Sequence, residues 1–334
     1  MQFYRDEPTA RTSWRLAILM GVNTRTYKFA LGAALLDLAS SGAEAVSLRN
    51  LATAYSARML ERPSPASQAP SAVELGEQDF LSVLARERDA SREQGGPSEL
   101  LVDAAMSSMP GMVMQKFHNL RDLGRVAHSF YELEGRGARR VVRFSPELRD
   151  LAPGSGVLAE ELDSRWSIVE ASFDAGIGRG LVGSGMAVDA EKGVLVAPAR
   201  RVAVTSLRGG IAGFQHGECF YCRKDFASLG PDVHVDHVFP FAWMRTGSWR
   251  GPDLNHVWNL VLACAPCNLS KGARPPTEDE IGRLARRNDA IACSPHPLRR
   301  TLEVTMGAAG QAGERQRRRF LRSVVAATTD GPRG

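Results

Sequence analysis

Two short stretches, CFYC at 219–222 and CAPCNLSK at 264–271, bracket a third, HVDHVFPF at 234–241. Each bracket carries a Cys-x-x-Cys pair, and together they use four of the five cysteines: Cys219, Cys222, Cys264 and Cys267. Four thiolates in two such knuckles can close a tetrahedral Zn²⁺ site, which replaces the large apolar core that a small module lacks. A dithiol redox site would need one pair only. The fifth cysteine, Cys293 in IACSPHP, reads as a core residue rather than a further ligand.

The bracketed segment has the look of a β-strand, yet it carries two histidines and an aspartate, groups that are costly to bury. Zinc at the knuckles would fix an Asp-His dipeptide against a short helix starting near Cys264. On that helix Asn268 and Lys271 share a face, Gly272 with Pro275 and Pro276 ends it, and Thr277 to Glu280 is a capping box for the next helix. Strict alternation points Asp236 and His237 to opposite faces, so the strand is expected to end or bulge there, as Pro240 suggests.

The motifs C-F-Y-C, V-D-H-V-F-P, W-N-L-V and C-A-P-C-N-L-S-K, in this order and spacing, resemble the HNH nuclease family, whose core is a ββα-metal module. The likeness covers residues 214 to 276. It implies that His237 is the general base, that Asp236 and Asn268 bind the catalytic metal, and that Asn259 braces the loop that orients the base. It further implies a metal-dependent DNA endonuclease that leaves 5′-phosphate and 3′-hydroxyl ends. One site cuts one strand, so a double-strand break requires a homodimer, a second binding event or a partner protein. An HNH module joined to a separate helical domain is similar to bacterial restriction or phage-defence nucleases.

Elementary chemistry agrees with these roles. Phosphodiester hydrolysis needs a water deprotonated near neutral pH, where histidine titrates, and positive charge on the phosphate and leaving oxygens. A carboxylate and an amide carbonyl are hard donors suited to Mg²⁺ or Mn²⁺. Lys271 either steadies a phosphate or is solvated. Arg223, Lys224 and Arg274 surround the motif and are candidate contacts to the nucleic-acid backbone, as are Arg245, Arg250 and the basic run ERQRRRFLR at 314–322. His234 reads as a flank or substrate contact, His216 and His256 as solvated or packed, and Trp258 as core.

The whole chain supports the same class. It has 334 residues, 43% hydrophobic and 24% charged, enough for two domains of a soluble protein, and a net charge of +5 permits an acidic partner. The apolar run LAILMGV is too short to span a membrane and lacks a cleavage site, which points to the cytoplasm. The expected fold class is α+β. Residues 1–205 read as a mostly α-helical domain of unassigned role, for specificity or a partner. Residues 206–300 are expected, from the resemblance, to form an HNH nuclease domain, and 301–334 a basic C-terminal helical tail.

Within the first domain, Thr12 or Ser13 is expected to cap a helix, and Tyr27, Ala30, Leu31, Ala34, Leu35 and Leu38 form an apolar stripe. Further helices are expected over 47–62, 77–93, 97–109 and 158–173, a hairpin over 129–144, and a mobile linker or long loop over 62–72. His118 and His128 read as structural. Gly178, Gly180 and Gly183 match G-x-G-x-x-G, but a helix precedes them where a dinucleotide site needs a strand.

Two other functions fit parts of the pattern. A zinc-stabilised DNA-binding module without cleavage activity needs the cysteines but not His237, Asp236 and Asn268. A zinc deaminase would share Pro266-Cys267 but wants H-x-E, where this chain has His234 and Asp236.

Overall fold

The computed structural model describes residues 8–21, 24–64, 66–70, 74–120, 124–174, 187–189, 192–197, 202–246 and 249–329. The protein is α+β, with many helices and small antiparallel sheets. It divides into two compact units, Tyr4–Gly180 and Leu181–Gly334, a division upstream of the 205/206 boundary read from the sequence. Among the described residues no helix is long and apolar enough to cross a membrane.

In the first unit, α1 (Ala10–Leu19) is followed by α2 (Tyr27–Ser40), β1 (Ala45–Ser47), α3 (Leu48–Leu60), α4 (Phe80–Glu93) and α5 (Glu99–Ser108). Then come β2 (Asn119–Leu120), β3 (Gly124–Arg125), β4 (Tyr131–Glu134), β5 (Val141–Phe144), α6 (Pro146–Leu151) and α7 (Gly156–Asp174). The expected hairpin forms between β4 and β5, and β1 joins it in the order β1-β5-β4. The first helix starts earlier than expected. Thr9 is its cap and Thr12 completes a reciprocal capping box, while Ser13 turns inward to His128 Nδ1 at 2.9 Å.

The α2 stripe is wider than its pattern. Phe29, Gly32 and Leu36 are buried along with Tyr27, Ala30, Leu31, Ala34 and Leu35, whereas Leu38 is only half-buried. A helix apolar on nearly every side is a central helix, enclosed by its neighbours. Of the two expectations for 62–72, a mobile linker or a long loop, the described residues fit a packed loop. Gln68 is fully buried, accepts from Trp166 Nε1 at 2.9 Å and Thr26 Oγ1, and donates to Ser64 O and Glu170. Composition cannot reveal this, because the glutamine is stabilised by partners distant in sequence. His118 is structural as expected: its Nε2 accepts the Phe130 N–H at 2.9 Å, and burial pushes its pKa down to about 4. The Gly178–Gly183 motif lies outside the described residues.

The second unit contains β6 (Ala187–Asp189), β7 (Val194–Ala197), β8 (Val202–Ser206), α8 (Leu207–Ala212), β9 (Val233–His237) and β10 (Leu260–Cys264). It ends with α9 (Ala265–Lys271), α10 (Glu278–Ala292), α11 (Leu298–Thr305), α12 (Ala308–Gln311) and α13 (Glu314–Thr329). β6, β7 and β8 form an antiparallel sheet, and β9 pairs separately with β10 in antiparallel register, His237 opposite Leu260 and Asp236 opposite Val261. β10 shows no polar alternation because both faces are covered: Leu260, Val261, Leu262 and Ala263 are all buried. Its second edge is satisfied without a strand. Gln215 donates to the Leu262 carbonyl at 2.6 Å and accepts the Leu262 N–H at 2.9 Å, and Phe220 N–H also reaches that carbonyl.

The helices fix the loop between these strands. Arg287 and Asn288 on α10 both donate to the Trp258 carbonyl, at 3.2 and 2.9 Å, and Trp258 is buried as expected. The stretch read as a basic tail is integrated here: α13 packs on α10, Arg317 is buried against Asp289, and Phe320 lies edge-on to Trp258. A helix with an apolar stripe of Leu321 and Val324 has a face to bury, which its arginine content conceals.

Candidate metal centre and histidine site

The first knuckle is a tight hairpin. Phe226 N–H reaches Gly217 O, Cys219 N–H reaches Lys224 O, and Arg223 N–H returns to Cys219 O, each at 2.9 Å. The turn requires Arg223 at φ 62°, the left-handed region that a branched side chain would resist. The second knuckle is the N-terminus of α9, with Cys264 as its cap residue and Pro266 in the first turn, where a missing N–H costs nothing.

All four sulfurs lie within 4.8 Å of one another, with Cys222 and Cys264 at 3.9 Å. Four Zn–S bonds of about 2.3 Å in a tetrahedron set sulfurs about 3.8 Å apart. The cluster can therefore hold a structural metal such as zinc. Burial and the neighbouring thiols push Cys267 up to about 12, while the Lys224 backbone N–H and the other thiols hold Cys222 below its ordinary value, so the cluster's protons are unevenly held. A bound cation replaces those protons and joins β10 and α9 to the knuckle. Cys293, expected in the core, is exposed at the C-cap of α10, its thiol 3.9 Å from Asp289 Oδ2, so it is remote from this site in chemistry as well as in sequence.

β9 carries His234, Asp236 and His237, and α9 lies against one face of it. Alternation holds: no bulge interrupts the β9–β10 register, and the strand ends at His237. His234 and Asp236 share the α9 side. Asn268 Nδ2 donates to His234 Nδ1 at 3.0 Å, and Lys271 approaches Asp236 at 3.4 and 3.5 Å. Helix residues three apart thus meet strand residues two apart. Asp236 and Asn268, expected as joint metal ligands, come from these facing elements and offer hard oxygens, but their present partners are Lys271 with Tyr221, and His234.

Lys271, expected to be solvated or to face a phosphate, is buried and donates to the His237 carbonyl as well as to Asp236. Burial lowers its pKa, and the Asp236 carboxylate partly restores it. Arg274, another expected phosphate contact, is bidentate to Glu280 at 2.8 and 2.6 Å. Arg223 and Lys224 are exposed on the knuckle. His256 stands 3.6 Å from Asp253.

His237 leaves the strand on the other side. Its Nε2 is 3.0 Å from Asn255 Oδ1, and its ring lies 5.3 Å from that of Phe241. The amide oxygen can only accept, so Nε2 carries the proton and Nδ1 presents its lone pair. Burial holds the imidazole below its ordinary pKa, offset in part by Asn255 and Asp236, so the ring is neutral at neutral pH. Asn259, fully buried, bonds both polar groups of Phe239 and the Leu254 carbonyl, tying the chain after His237 to the turn that carries Asn255.

Three residues of this arrangement were not singled out from the sequence. Asn255 stands in an Asx turn, its N–H 2.8 Å from Asp253 Oδ1, and D-x-N is the pattern that marks it. Gln215 acts through distant backbone. Tyr221, between the first two cysteines, donates its hydroxyl to Asp236 Oδ2, and burial with the adjacent carboxylate holds the phenol above its ordinary range, so it stays a donor. No protein-family model, curated protein or solved structure matches the chain.

Proposed function

We propose that the second unit is a metal-dependent HNH-type endonuclease that hydrolyses DNA phosphodiester bonds. The observation that carries the reading is His237: a neutral imidazole at a strand end whose Nε2 proton is engaged by Asn255, which makes Nδ1 the nitrogen that can accept a proton. The imidazole takes a proton from a water as it attacks the phosphate, and Asn255 keeps the tautomer that makes this possible. Asn259 holds the loop on which the base depends. Asp236 and Asn268 would hold Mg²⁺ or Mn²⁺, which supplies Lewis-acid stabilisation of the phosphate and the leaving 3′ oxygen. Zn²⁺ at Cys219, Cys222, Cys264 and Cys267 is the structural ion. Arg223 and Lys224 contact the DNA backbone, and Lys271 supports the strand end from within. The biological setting that fits is bacterial restriction or phage defence in the cytoplasm, with strand pairing through a homodimer or partner protein.

One feature favours a second reading. The Lys271–Asp236 pair satisfies the carboxylate without a dication, as a zinc-stabilised DNA-binding module lacking cleavage would require. Supercoiled plasmid incubated with Mg²⁺ or Mn²⁺ separates the two. Cutting by the wild type that vanishes in a folded His237→Ala variant establishes the nuclease; binding without cutting by either protein establishes the module.

A further inference from the structure

Tyr221 belongs to the knuckle by sequence and to the Asp236 site by contact. Its neighbours hold it at three points. Its N-terminal neighbour Phe220 is bonded to Leu262 O at 2.9 Å, its own carbonyl accepts Arg283 Nη1 at 3.0 Å, and Arg274 sits 6.0 Å from its ring centroid while anchored to Glu280. The hydroxyl then reaches Asp236 Oδ2. The competing contacts of Lys271 with that carboxylate are longer, 3.4 and 3.5 Å, and its closer bond is to the His237 carbonyl. An ammonium at such distances attracts the carboxylate without choosing its rotamer, whereas a hydroxyl hydrogen bond is directional.

We propose that Tyr221 is a positioning residue through which the cysteine knuckle orients Asp236, holding Oδ2 so that Oδ1, now 3.5 Å from Lys271 Nζ, can turn to a divalent cation. Closing the knuckle around its structural metal sets the phenol, and the phenol sets the carboxylate. Without the hydroxyl, Asp236 follows Lys271 and the ion pair tightens across the oxygen the cation would use. The proposal rests on the nuclease reading for the presence of a cation at Asp236. Outer partners of metal ligands change affinity by about 10–100-fold when removed.

The test uses the full-length protein carrying its structural metal, as wild type, Tyr221→Phe and Asp236→Asn. Mass spectrometry reads the structural metal, paramagnetic resonance of free Mn²⁺ reads binding, and plasmid cutting is followed against Mn²⁺ concentration. The expected Tyr221→Phe protein keeps its structural metal, binds Mn²⁺ about 10-fold or more weakly, and recovers most of its cutting rate at saturating Mn²⁺. Unchanged Mn²⁺ affinity in Tyr221→Phe, with affinity lost in Asp236→Asn, overturns the positioning role and leaves the nuclease reading intact. Loss of the structural metal from Tyr221→Phe also overturns it, since the tyrosine would then serve the knuckle alone. Wild-type protein that binds no Mn²⁺, or Asp236→Asn protein that binds it equally, overturns the nuclease reading and the proposal with it.

Discussion

The side chain of Asn259 takes the place of a strand neighbour for Phe239, donating Nδ2 to the Phe239 carbonyl at 2.9 Å and accepting the Phe239 N–H through Oδ1 at 2.8 Å. The same Nδ2 donates to Leu254 O at 2.8 Å. The chain leaving His237 is thereby joined to the chain entering Asn255, with no strand between them.

Asn259→Ala strips these bonds from a fully buried position and leaves the Phe239 and Leu254 groups unsatisfied. Each buried orphan costs about 1–3 kcal/mol. Urea titration of the variant is expected to show a loss of a few kcal/mol at unchanged m-value. A midpoint equal to wild type would mean that the loop does not depend on this amide.

The cysteine cluster predicts one equivalent of zinc per chain, read by metal analysis. Cys264→Ser removes a ligand shared between β10 and α9, and is expected to lose the metal and the cooperative unfolding of the second unit. Cys293→Ser, at an exposed thiol, is expected to keep both.

Asn255→Ala tests the tautomer. Without Oδ1 the imidazole proton is free to move to Nδ1, and the nitrogen that would accept a proton in the proposed reaction is lost part of the time. Plasmid cutting is expected to fall by about 10-fold, less than for His237→Ala, where roughly 10²–10⁴-fold is the usual loss for an acid–base group.

His118 predicts a pH dependence of stability in the first unit. Its pKa is pushed from 6.5 to about 4 by burial, so between these values the unfolded chain binds a proton that the folded protein does not. Stability is complete above pH 6.5 and declines as pH falls toward 4, by on the order of 3 kcal/mol. His118→Gln keeps an acceptor for Phe130 N–H without the titration. Thermal midpoints of the two proteins are expected to converge on acidification; a constant difference would assign the acid sensitivity elsewhere.

Several features were legible because they are local. Cys-x-x-Cys spacing announces a metal knuckle wherever the chain runs, and the Thr277–Glu280 capping box and the glycine stop at Gly272 depend on neighbours within four residues. The β4–β5 hairpin and the helices α3, α4, α5 and α7 follow from periodicity for the same reason. The α+β class and the closeness of the four thiols were likewise within reach of the sequence.

What the tertiary structure alone decided are the partners. Whether Lys271 meets water or Asp236, whether Arg274 meets phosphate or Glu280, and whether Gln68 lies in a linker or a core depend on groups brought from elsewhere in the chain. The 301–334 segment shows the same division: its arginines were legible, but the apolar face that α13 lays on α10 acquires meaning only once α10 is there to receive it. Residue type and spacing set what a side chain can do; burial and the partner across the fold select which of those things it does, because charge and hydrogen-bond energies depend on surroundings that no local pattern encodes.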